Sequence, residues 1–385
     1  MTEAGCSTMG RRGPSIHDIA KIAGVSAATV SNVLNDKGRV SKRTRLMVQE
    51  VARSQGYVAN FAAKSLREQQ THTVGIVTPD VSNVFHSVIV LRVESLLHGV
   101  GYDAFICNSS NDPARMRSYV EGLTRKQVDG FVFVGGTTDI SRDALLVQTP
   151  AVCIDRLRPQ ATEGVVEVNN DVRGAVFDMT ELLLRRGCER VAFVSVSSRH
   201  WSDANAQRFQ GYADALGAHG LRMDKNIVLE GDHRQKSHLE AARLVKTCLD
   251  EGYDFDGVVA MGDRPALGVE NALEARGIGV GTDVLLVGMD NSLYSQVASP
   301  SISSVDRDVD QLAERGVEAL LRLLADEEAP SLDVIVPHSI VERETTLGPG
   351  AAETEGGHNG SGNESCQVVF LPKVAFVGDS RSRLD

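Results

Sequence analysis

The sequence is poor in aromatic residues and has no long apolar segment. Only 5% of its 385 residues are aromatic, and there is a single tryptophan. No run approaches the ~20 apolar residues that a membrane-spanning helix needs. The N-terminus also lacks the apolar stretch of a secretory signal peptide. These absences predict a cytoplasmic protein with no membrane partner.

Cysteine is scarce and scattered, with neither a Cys-x-x-Cys motif nor a paired histidine spacing. This arrangement excludes a disulfide framework and argues against a zinc site, so we expect no metal and no cofactor. A reducing compartment fits the six cysteines, which are Cys6, Cys107, Cys153, Cys188, Cys248 and Cys366.

Motifs for catalysis are lacking as well. The chain has no phosphate-binding Gly-x-x-x-x-Gly-Lys-Ser/Thr loop and no evident pair of catalytic carboxylates. Gly378-Asp379-Ser380 resembles a hydrolase nucleophile turn, but only five residues follow it, too few to supply the Asp and His partners. The sequence therefore predicts a protein that is not an enzyme.

The charge that is present is unevenly distributed. The net charge is −11, a value that at first argues against a nucleic-acid binder. Residues 1–70, however, contain eleven basic and five acidic residues, a net charge of +6, whereas the remainder contains 29 and 46, a net charge of −17. This asymmetry predicts a basic arm on an acidic body.

The basic arm has the start and stop signals of three short helices. Ser15 and Asp18 form a potential capping box, and the apolar spacing from Ile16 predicts a helix that stops at Gly24. Ser26 can cap a second helix and Ser41 a third, which ends near Gly56. Two helices joined by a tight glycine turn are typical of a helix-turn-helix, whose second helix lies in the major groove.

The exposed positions of the second helix are candidate DNA contacts. Small side chains near its start allow close approach to base edges, and alanine methyl groups can contact thymine. Hydroxyl groups at Thr29 and Ser31 suit phosphate contacts. The alternative is a three-helix bundle without a ligand. The candidate residues are Ser26, Ala27, Ala28, Thr29, Ser31, Asn32 and Asn35.

The acidic body alternates short apolar runs with amphipathic segments, which predicts βαβ units and parallel sheets. Its halves echo each other, since residues 128–132 (VDGFV) match residues 255–259 (FDGVV). We therefore expect two similar α/β lobes of about 130 residues separated by a cleft. The predicted strands are Thr73–Val77, Ala104–Cys107, Gly130–Val134 and Ala151–Ile154, then Val191–Ser195, Ile227–Leu229, Gly257–Ala260 and Val284–Val287.

Ligands of such sheets bind beyond the carboxyl ends of the strands, so residues that follow strands are the candidates. Aromatic faces combined with Asp, Asn and Arg suit a sugar or a nucleobase. Asp155–Arg156 and Asp263–Arg264 could instead be structural ion pairs, and Trp201 could be a packing residue. The candidate set is Asp80, Phe85, Asp155, Trp201, Arg208, His233, Asp263 and Asp290.

The arm resembles the LacI/GalR family of bacterial transcription regulators. The matching stretches are IHDIAK at 16–21, GVS at 24–26 and ATVSNVLN at 28–35. The body carries further matches, among them VGIV at 74–77, RFQGY at 208–212, GMDN at 288–291 and VERET at 341–345. Asn32 occupies a position that is often Arg in the family, and asparagine favours adenine over guanine.

The resemblance implies a hinge helix over residues 59–70 that folds on operator DNA, with contacts from Ala63, Lys64 and Leu66. In the family, the leucine at the position of Leu66 is a wedge in the minor groove. In the body, the resemblance implies that Arg208 and Asp290 hydrogen-bond an effector. It also places Asp155 at the effector in some members and makes Phe85 an apolar wall of the cleft.

The expected fold class is an all-α helix-turn-helix headpiece (14–58) after a disordered start (1–13), then a hinge helix and an α/β two-lobed, periplasmic-binding-protein-like effector domain with parallel sheets (71–347). Lobe 1 is expected at about 71–167 and 300–328, and lobe 2 at about 168–299 and 329–347. Residues 348–385 form a glycine-rich tail that we expect to be disordered.

The expected function is a repressor controlled by a small molecule. A homodimer would bind pseudopalindromic operator DNA, and its effector would be a sugar, a sugar phosphate or a purine-like metabolite. Two alternatives remain open at this point. One is a solute-binding module without a role at DNA, and the other is a regulator that is controlled by a partner protein.

Overall fold

A computed structural model of the chain describes residues 14–34, 38–57, 70–136, 149–156, 165–198, 200, 202–232, 235–327, 333–350 and 354–355. The predicted disordered start, nearly all of the hinge and most of the tail lie outside these ranges. So do the candidate residues Asn35, Ala63, Lys64, Leu66, Trp201 and His233.

Three helices form the headpiece: α1 (Ile16–Ala23), α2 (Ala27–Leu34) and α3 (Lys42–Ser54). The capping box is present, since the Asp18 amide donates to Ser15 Oγ at 3.3 Å and the Ser15 amide donates to Asp18 Oδ2 at 2.8 Å. Gly24 ends α1 at φ +64°, a left-handed conformation that favours glycine. Apolar side chains from all three helices meet in one core, with Ile19, Val30 and Val48 fully buried.

Lobe 1 is a six-stranded parallel sheet in the order β11-β5-β4-β3-β1-β2. Helices α4 (Val84–Gly99) and α11 (Val309–Leu324) pack together on one face, and α5 (Pro113–Arg125) packs on the other. The strands are β1 (Thr73–Thr78), β2 (Asp103–Asn108), β3 (Gly130–Val134), β4 (Ala151–Ile154), β5 (Val165–Asn170) and β11 (Asp333–Val336).

Lobe 2 is a seven-stranded sheet in the order β13-β12-β10-β9-β8-β6-β7, antiparallel only at β12 and β13. Helices α6 (Val172–Arg185) and α7 (Asp203–Ala218) cover one face; α8 (Ser237–Asp250) and α9 (Asp263–Glu274) cover the other. The strands are β6 (Val191–Ser195), β7 (Val228–Glu230), β8 (Gly257–Ala260), β9 (Leu285–Met289), β10 (Ser303–Asp306), β12 (Ser339–Glu342) and β13 (Thr354–Glu355). Short helices α10 (Leu293–Val297) and α12 (Glu344–Leu347) complete the lobe.

The two sheets repeat one topology, as the sequence echo predicts. The order β2-β1-β3-β4-β5 in lobe 1 corresponds to β7-β6-β8-β9-β10 in lobe 2, and the echoed segments open the equivalent strands β3 and β8. The echoed aspartates also act alike. Asp129 accepts the amide of Thr71, and Asp256 accepts the amides of Glu189 and Arg190, all at 2.8 Å.

The expected lobe boundaries need correction. Strand β5 stays in lobe 1 as far as Asn170, β10 lies in the sheet of lobe 2, and β11 lies in the sheet of lobe 1. The chain therefore crosses between the lobes after Asn170, after Asp306 and after Val336. The expectation assigned residues 300–306 to lobe 1 and β11 to lobe 2. Neither β10 (SSVD) nor β11 (DVIV) is apolar throughout, as the central strand β4 (AVCI) is.

Over the described ranges, no helix is long and apolar enough to cross a membrane. The same part of the chain holds no cluster of three potential metal ligands. Cys107, Cys153, Cys188 and Cys248 are free thiols.

Candidate DNA interface and effector site

Helix α2 turns a face of small residues outward. Ala28 and Asn32 are exposed, whereas Val30 and Val33 are buried against α1 and α3. Ser26 caps the helix, because its Oγ accepts the Thr29 amide at 3.1 Å and lies 2.9 Å from Thr29 Oγ1. The Ser26 and Thr29 hydroxyls are thus engaged in shaping the start of the helix, and both still lie at its outer surface.

The other predicted contacts on α2 lie along the same helix. Ala27 and Ser31 are half-buried, and the Asn32 side chain lies beside Gly38 in the connection to α3. Of the described residues of the predicted set, Ser26, Ala28 and Asn32 are exposed, whereas Ala27 packs partly against the headpiece core.

The three crossovers between the lobes meet at Asn170, the last residue of β5. Its side-chain amide donates to the carbonyl oxygens of Arg307 at 2.9 Å and Val336 at 3.0 Å. Its Oδ1 accepts Arg307 Nε at 3.0 Å. One asparagine thus holds all three connecting segments at a single point.

Arg307 is the most conspicuous residue of the cleft, and the sequence analysis did not identify it. Its side chain is 2% exposed, and its guanidinium pairs with Asp155 of lobe 1 and, at 3.3 Å, with Asp290 of lobe 2. The Phe85 ring lies under the guanidinium, 4.1 Å from its carbon to the ring centroid, in a cation–π contact. Burial alone lowers the pKa of Arg307, but the two carboxylates outweigh it and raise the pKa.

Asp155 follows β4 and is tied from two sides. One oxygen pairs with Arg307 and the other lies 3.0 Å from His86 Nε2 on α4. Burial raises the pKa of Asp155, but Arg307, His86 and Arg208 together lower it below its usual range. His86 fits because Gly135, at φ +71°, lacks a side chain: a Cβ there would lie 2.5 Å from the His86 ring.

Asp290 and Arg208 form the lobe 2 side of the cleft. Burial and nearby Asp155 raise the pKa of Asp290 even though Arg307 and Arg208 oppose the shift. Burial and Arg307 lower the pKa of Arg208. Arg208 Nη1 lies 3.5 Å from Asn205 Oδ1, and its Nε is buried with no hydrogen-bond partner among the described residues. Its guanidinium can therefore donate a further hydrogen bond to an oxygen of a ligand.

Asp263, predicted as an effector contact, lies behind the site. Its side chain is 1% exposed, and its oxygens accept the Ser292 amide at 2.6 Å, the Ser292 hydroxyl at 2.8 Å and the Ser304 hydroxyl. Burial, followed by the charge of Asp290, raises the pKa of Asp263 to about 7. In the structure the serines use the carboxylate to join α9, β10 and the loop after β9, and a direct contact of Asp263 with an effector stays a prediction.

Asp80 and Phe85 lie on the lobe 1 side. Asp80 accepts the Ser82 amide and hydroxyl at 2.8 and 2.9 Å and shapes the turn after β1. Phe85, 4% exposed, is covered by Arg307 and so is a wall of the cleft only behind that residue. A concavity at the carboxyl ends of the lobe 1 strands is lined by Thr78, Pro79, Ser109, Asn111, Gly135 and Arg156, among others.

The structure thus brings together Phe85, Asp155, Arg208 and Asp290 of the predicted set. Asp155 does form a structural ion pair, as the alternative interpretation held, but its partner is Arg307 and not Arg156. One signal could have identified Arg307: it directly follows a strand, the position from which the other candidates were drawn. That strand, β10, contains two serines, and its sequence therefore does not predict a buried strand.

Comparisons with known proteins identify a family for the headpiece and for much of the two-lobed body. Residues 15–60 match the model of bacterial regulatory proteins of the lacI family, and residues 180–346 match a periplasmic binding protein-like domain. Catabolite control protein A of Staphylococcus xylosus is 30% identical over 332 residues, which cover 86% of this chain and 99% of that protein. A second relative is the HTH-type transcriptional regulator RegA of Clostridium saccharobutylicum, 30% identical over 341 residues, with 86% and 99% coverage.

Solved structures show the same architecture. A complex of the transcriptional regulator CelR with cellobiose matches with a TM-score of 0.64 and 26% identity, covering 86% of this chain and 99% of that one. The lac repressor dimer bound to operator and an anti-inducer matches in fold, with a TM-score of 0.78, 24% identity, and coverage of 87% and 100%. The chain belongs to the lacI family of bacterial regulatory proteins, which are DNA-binding transcription regulators and not enzymes.

Proposed function

We propose that the protein is a repressor that binds pseudopalindromic operator DNA as a homodimer and releases or tightens this contact when a small molecule enters the cleft. The observation that carries the proposal is the combination, in one chain, of an outward-facing α2 with small side chains and two lobes joined at Asn170 beside a charged cleft.

The DNA contact is proposed for the described face of α2 and for the hinge. The exposed residues Ala28 and Asn32 are proposed to contact base edges, and the hydroxyl groups of Thr29 and Ser31 are proposed to contact phosphates. Ser26 and Ala27, at the start of the helix, are proposed as further contacts. Asn35, Ala63, Lys64 and Leu66 remain predictions that rest on the sequence. Two copies related by a dyad would present two such helices to two half-sites.

The effector is proposed to be a sugar, a sugar phosphate or a purine-like metabolite. Arg208 offers donors with unused capacity, and Asp290 offers acceptors, a combination that suits hydroxyl groups or a base edge. The cellobiose complex of the transcriptional regulator CelR has a similar fold, which makes cellobiose a sensible first probe. Asp80, Trp201 and His233 stay predicted contacts.

The proposal is tested by a mobility shift with DNA from upstream of the protein's own gene. The same DNA is then titrated in the presence of sugars, sugar phosphates and purines that a thermal-shift screen selects. We expect a complex at low salt whose affinity changes by about 5- to 150-fold with one class of compound. A complex that responds to no small molecule but to a cell extract would favour control by a partner protein.

Arg208→Ala separates effector binding from DNA binding. Because Arg208 is in lobe 2, far along the chain from α2, we expect the variant to keep operator affinity and to lose its response to the effector. Arg173→Ala, which removes an exposed arginine paired with Asp214 at 2.6 Å, is the matched control. An unchanged response in Arg208→Ala would remove this residue from the site.

A further inference from the structure

Arg307 occupies the center of the charged cleft rather than its edge. All three nitrogen positions of its guanidinium are engaged: Nε with Asn170, Nη1 with Asp290 and Nη2 with Asp155. Its flat face covers Phe85. A planar group held by two carboxylates, an amide oxygen and an aromatic ring is bound as a small-molecule ligand is bound in a protein site.

The position of Arg307 in the chain gives this contact a consequence for the lobes. Asp155 follows a strand of lobe 1 and Asp290 follows a strand of lobe 2, whereas Arg307 lies in the crossover between β10 and α11. Its guanidinium therefore ties the two lobes from within a segment that connects them. Asp155 and Asp290 both have positive φ, +58° and +100°, so their backbones are held in a conformation that ordinary residues rarely adopt.

The same two carboxylates belong to the proposed effector site, and this inference rests on that proposal. A ligand whose hydroxyl groups donate hydrogen bonds to Asp155 and Asp290 would occupy the space that the guanidinium fills. We propose that Arg307 is the resident occupant of the effector site, and that an effector acts by replacing its guanidinium at Asp155 and Asp290 and so releasing the tie between the lobes.

The chemistry of the replaced group restricts the effector. The part of the ligand that faces Asp155 and Asp290 must supply at least two adjacent hydrogen-bond donors and cannot be anionic, because two carboxylates meet there. A vicinal diol of a sugar fulfils this condition, and a cationic group does so as well. Any phosphate or carboxylate of the ligand must face Arg208 instead, whose Nε has no partner in the described part of the chain.

The test is to remove the occupant and supply it from solution. Arg307→Ala leaves a space that methylguanidinium can fill, and we expect millimolar methylguanidinium to raise the melting temperature of this variant in a saturable manner. Sodium chloride at equal ionic strength should not do so. The matched control is Arg92→Ala, which removes a half-buried arginine outside the cleft that is paired with Asp310 at 2.7 Å and Glu314 at 3.0 Å. Equal responses of the two variants would overturn the proposal.

A second variant covers the case in which Arg307→Ala does not fold. Arg307→Lys retains the charge but replaces the three separate nitrogens of the guanidinium by one, so we expect a folded protein whose melting temperature lies below that of the wild type. In an Asp290→Asn background, Arg307→Lys should lower the melting temperature by less than it does in the wild-type background. If the loss is the same in both backgrounds, the tie does not run through Asp290 and the proposal fails.

The effect of releasing the tie between the lobes is measured as a change in operator affinity. Operator affinity of Arg307→Ala, or of Arg307→Lys, should differ at least about fivefold from that of the wild type. For the alanine variant, methylguanidinium should return it towards the wild-type value. Unchanged affinity would overturn the regulatory role even if methylguanidinium binds. Since the melting experiments contain no DNA, their failure would leave the proposed repressor function standing, and absence of operator binding would leave the occupied site standing.

Discussion

Arg307 carries a full positive charge in a side chain that is almost completely buried, and its neighbours make this possible. Isolated burial of a charge is very unfavourable, but two carboxylates and the Asn170 amide oxygen replace the lost water. Removal of one partner from such a group leaves the other uncompensated. At the scale of single residues, the cleft is therefore sensitive to the loss of any member.

Asp155→Ala tests this sensitivity. Because it would leave Arg307 without its lobe 1 partner, we expect the free energy of unfolding to fall by roughly 3–5 kcal/mol at pH 7. Urea denaturation is the measurement. Asp214→Ala, which removes the partner of exposed Arg173, should cost no more than about 1 kcal/mol.

The pH dependence of this effect has a definite sign. The pKa of Asp155 is lowered in the folded protein, so its stabilisation is present above the ordinary pKa of 3.8 and is lost as the pH falls towards the lowered value. The difference between the variant and the wild type should therefore shrink in acid. A difference that grows below pH 4 would contradict this assignment.

Asp263 is expected to behave in the opposite way. Its pKa rises from 3.8 to about 7 on folding, so the folded state holds a proton that the unfolded state has released between these values. Its contribution to stability is therefore fully present below pH 4 and declines as the pH rises to 7, by about 4 kcal/mol at most. Asp263→Asn should remove this decline, as measured by the difference in unfolding free energy between pH 5 and pH 8. An identical pH profile in the two proteins would refute the raised pKa.

At the scale of elements, local signals were sufficient for the headpiece. Ser15, Asp18 and Gly24 act at the ends of α1 and Ser41 acts at the start of α3, and each lies where the sequence predicts it. The central strand β4 was likewise predicted from its apolar run, Ala151–Ile154.

Other elements could not be predicted from local signals. Strand β10 buries Ser303 and Ser304 because their hydroxyls find partners far along the chain, at Thr346 and Asp263. The site residue Arg307 was missed with it, because its partners Asp155 and Asn170 are more than 130 positions away. Long-range pairing of polar groups leaves no periodic pattern in the sequence.

Helix α2 offers a test that separates binding from folding. Ala28→Glu places a negative charge on the exposed face, where it would meet DNA phosphates, so we expect operator affinity to fall at least tenfold. The unfolding free energy should change by no more than about 0.5 kcal/mol, as is usual for exposed positions. Ala218→Glu, an equal charge change at an exposed position of α7, is the control and should bind DNA normally. Equal effects of the two variants would exclude α2 as the contact.

At the scale of the whole molecule, charge and architecture divide at the same place. The net charge of +6 belongs to residues 1–70, which include the headpiece, and the net charge of −17 belongs to the rest of the chain. An acidic body is repelled by DNA phosphates, so we expect DNA contact to be confined to the N-terminal arm. In the proposed mechanism, the lobes would influence DNA only through their relative position, and the crossovers joined at Asn170 and Arg307 would set that position.

The most direct test of this account is the salt dependence of binding by the full-length protein to DNA from upstream of its own gene, compared with random DNA. With about six phosphate contacts, affinity should fall on the order of a thousandfold between 50 and 200 mM salt. The specific DNA should stay preferred throughout, with two protomers in each complex. Absence of a complex at low salt, or equal affinity for both DNAs at every salt concentration, would contradict the central claim that the protein is a sequence-specific regulator.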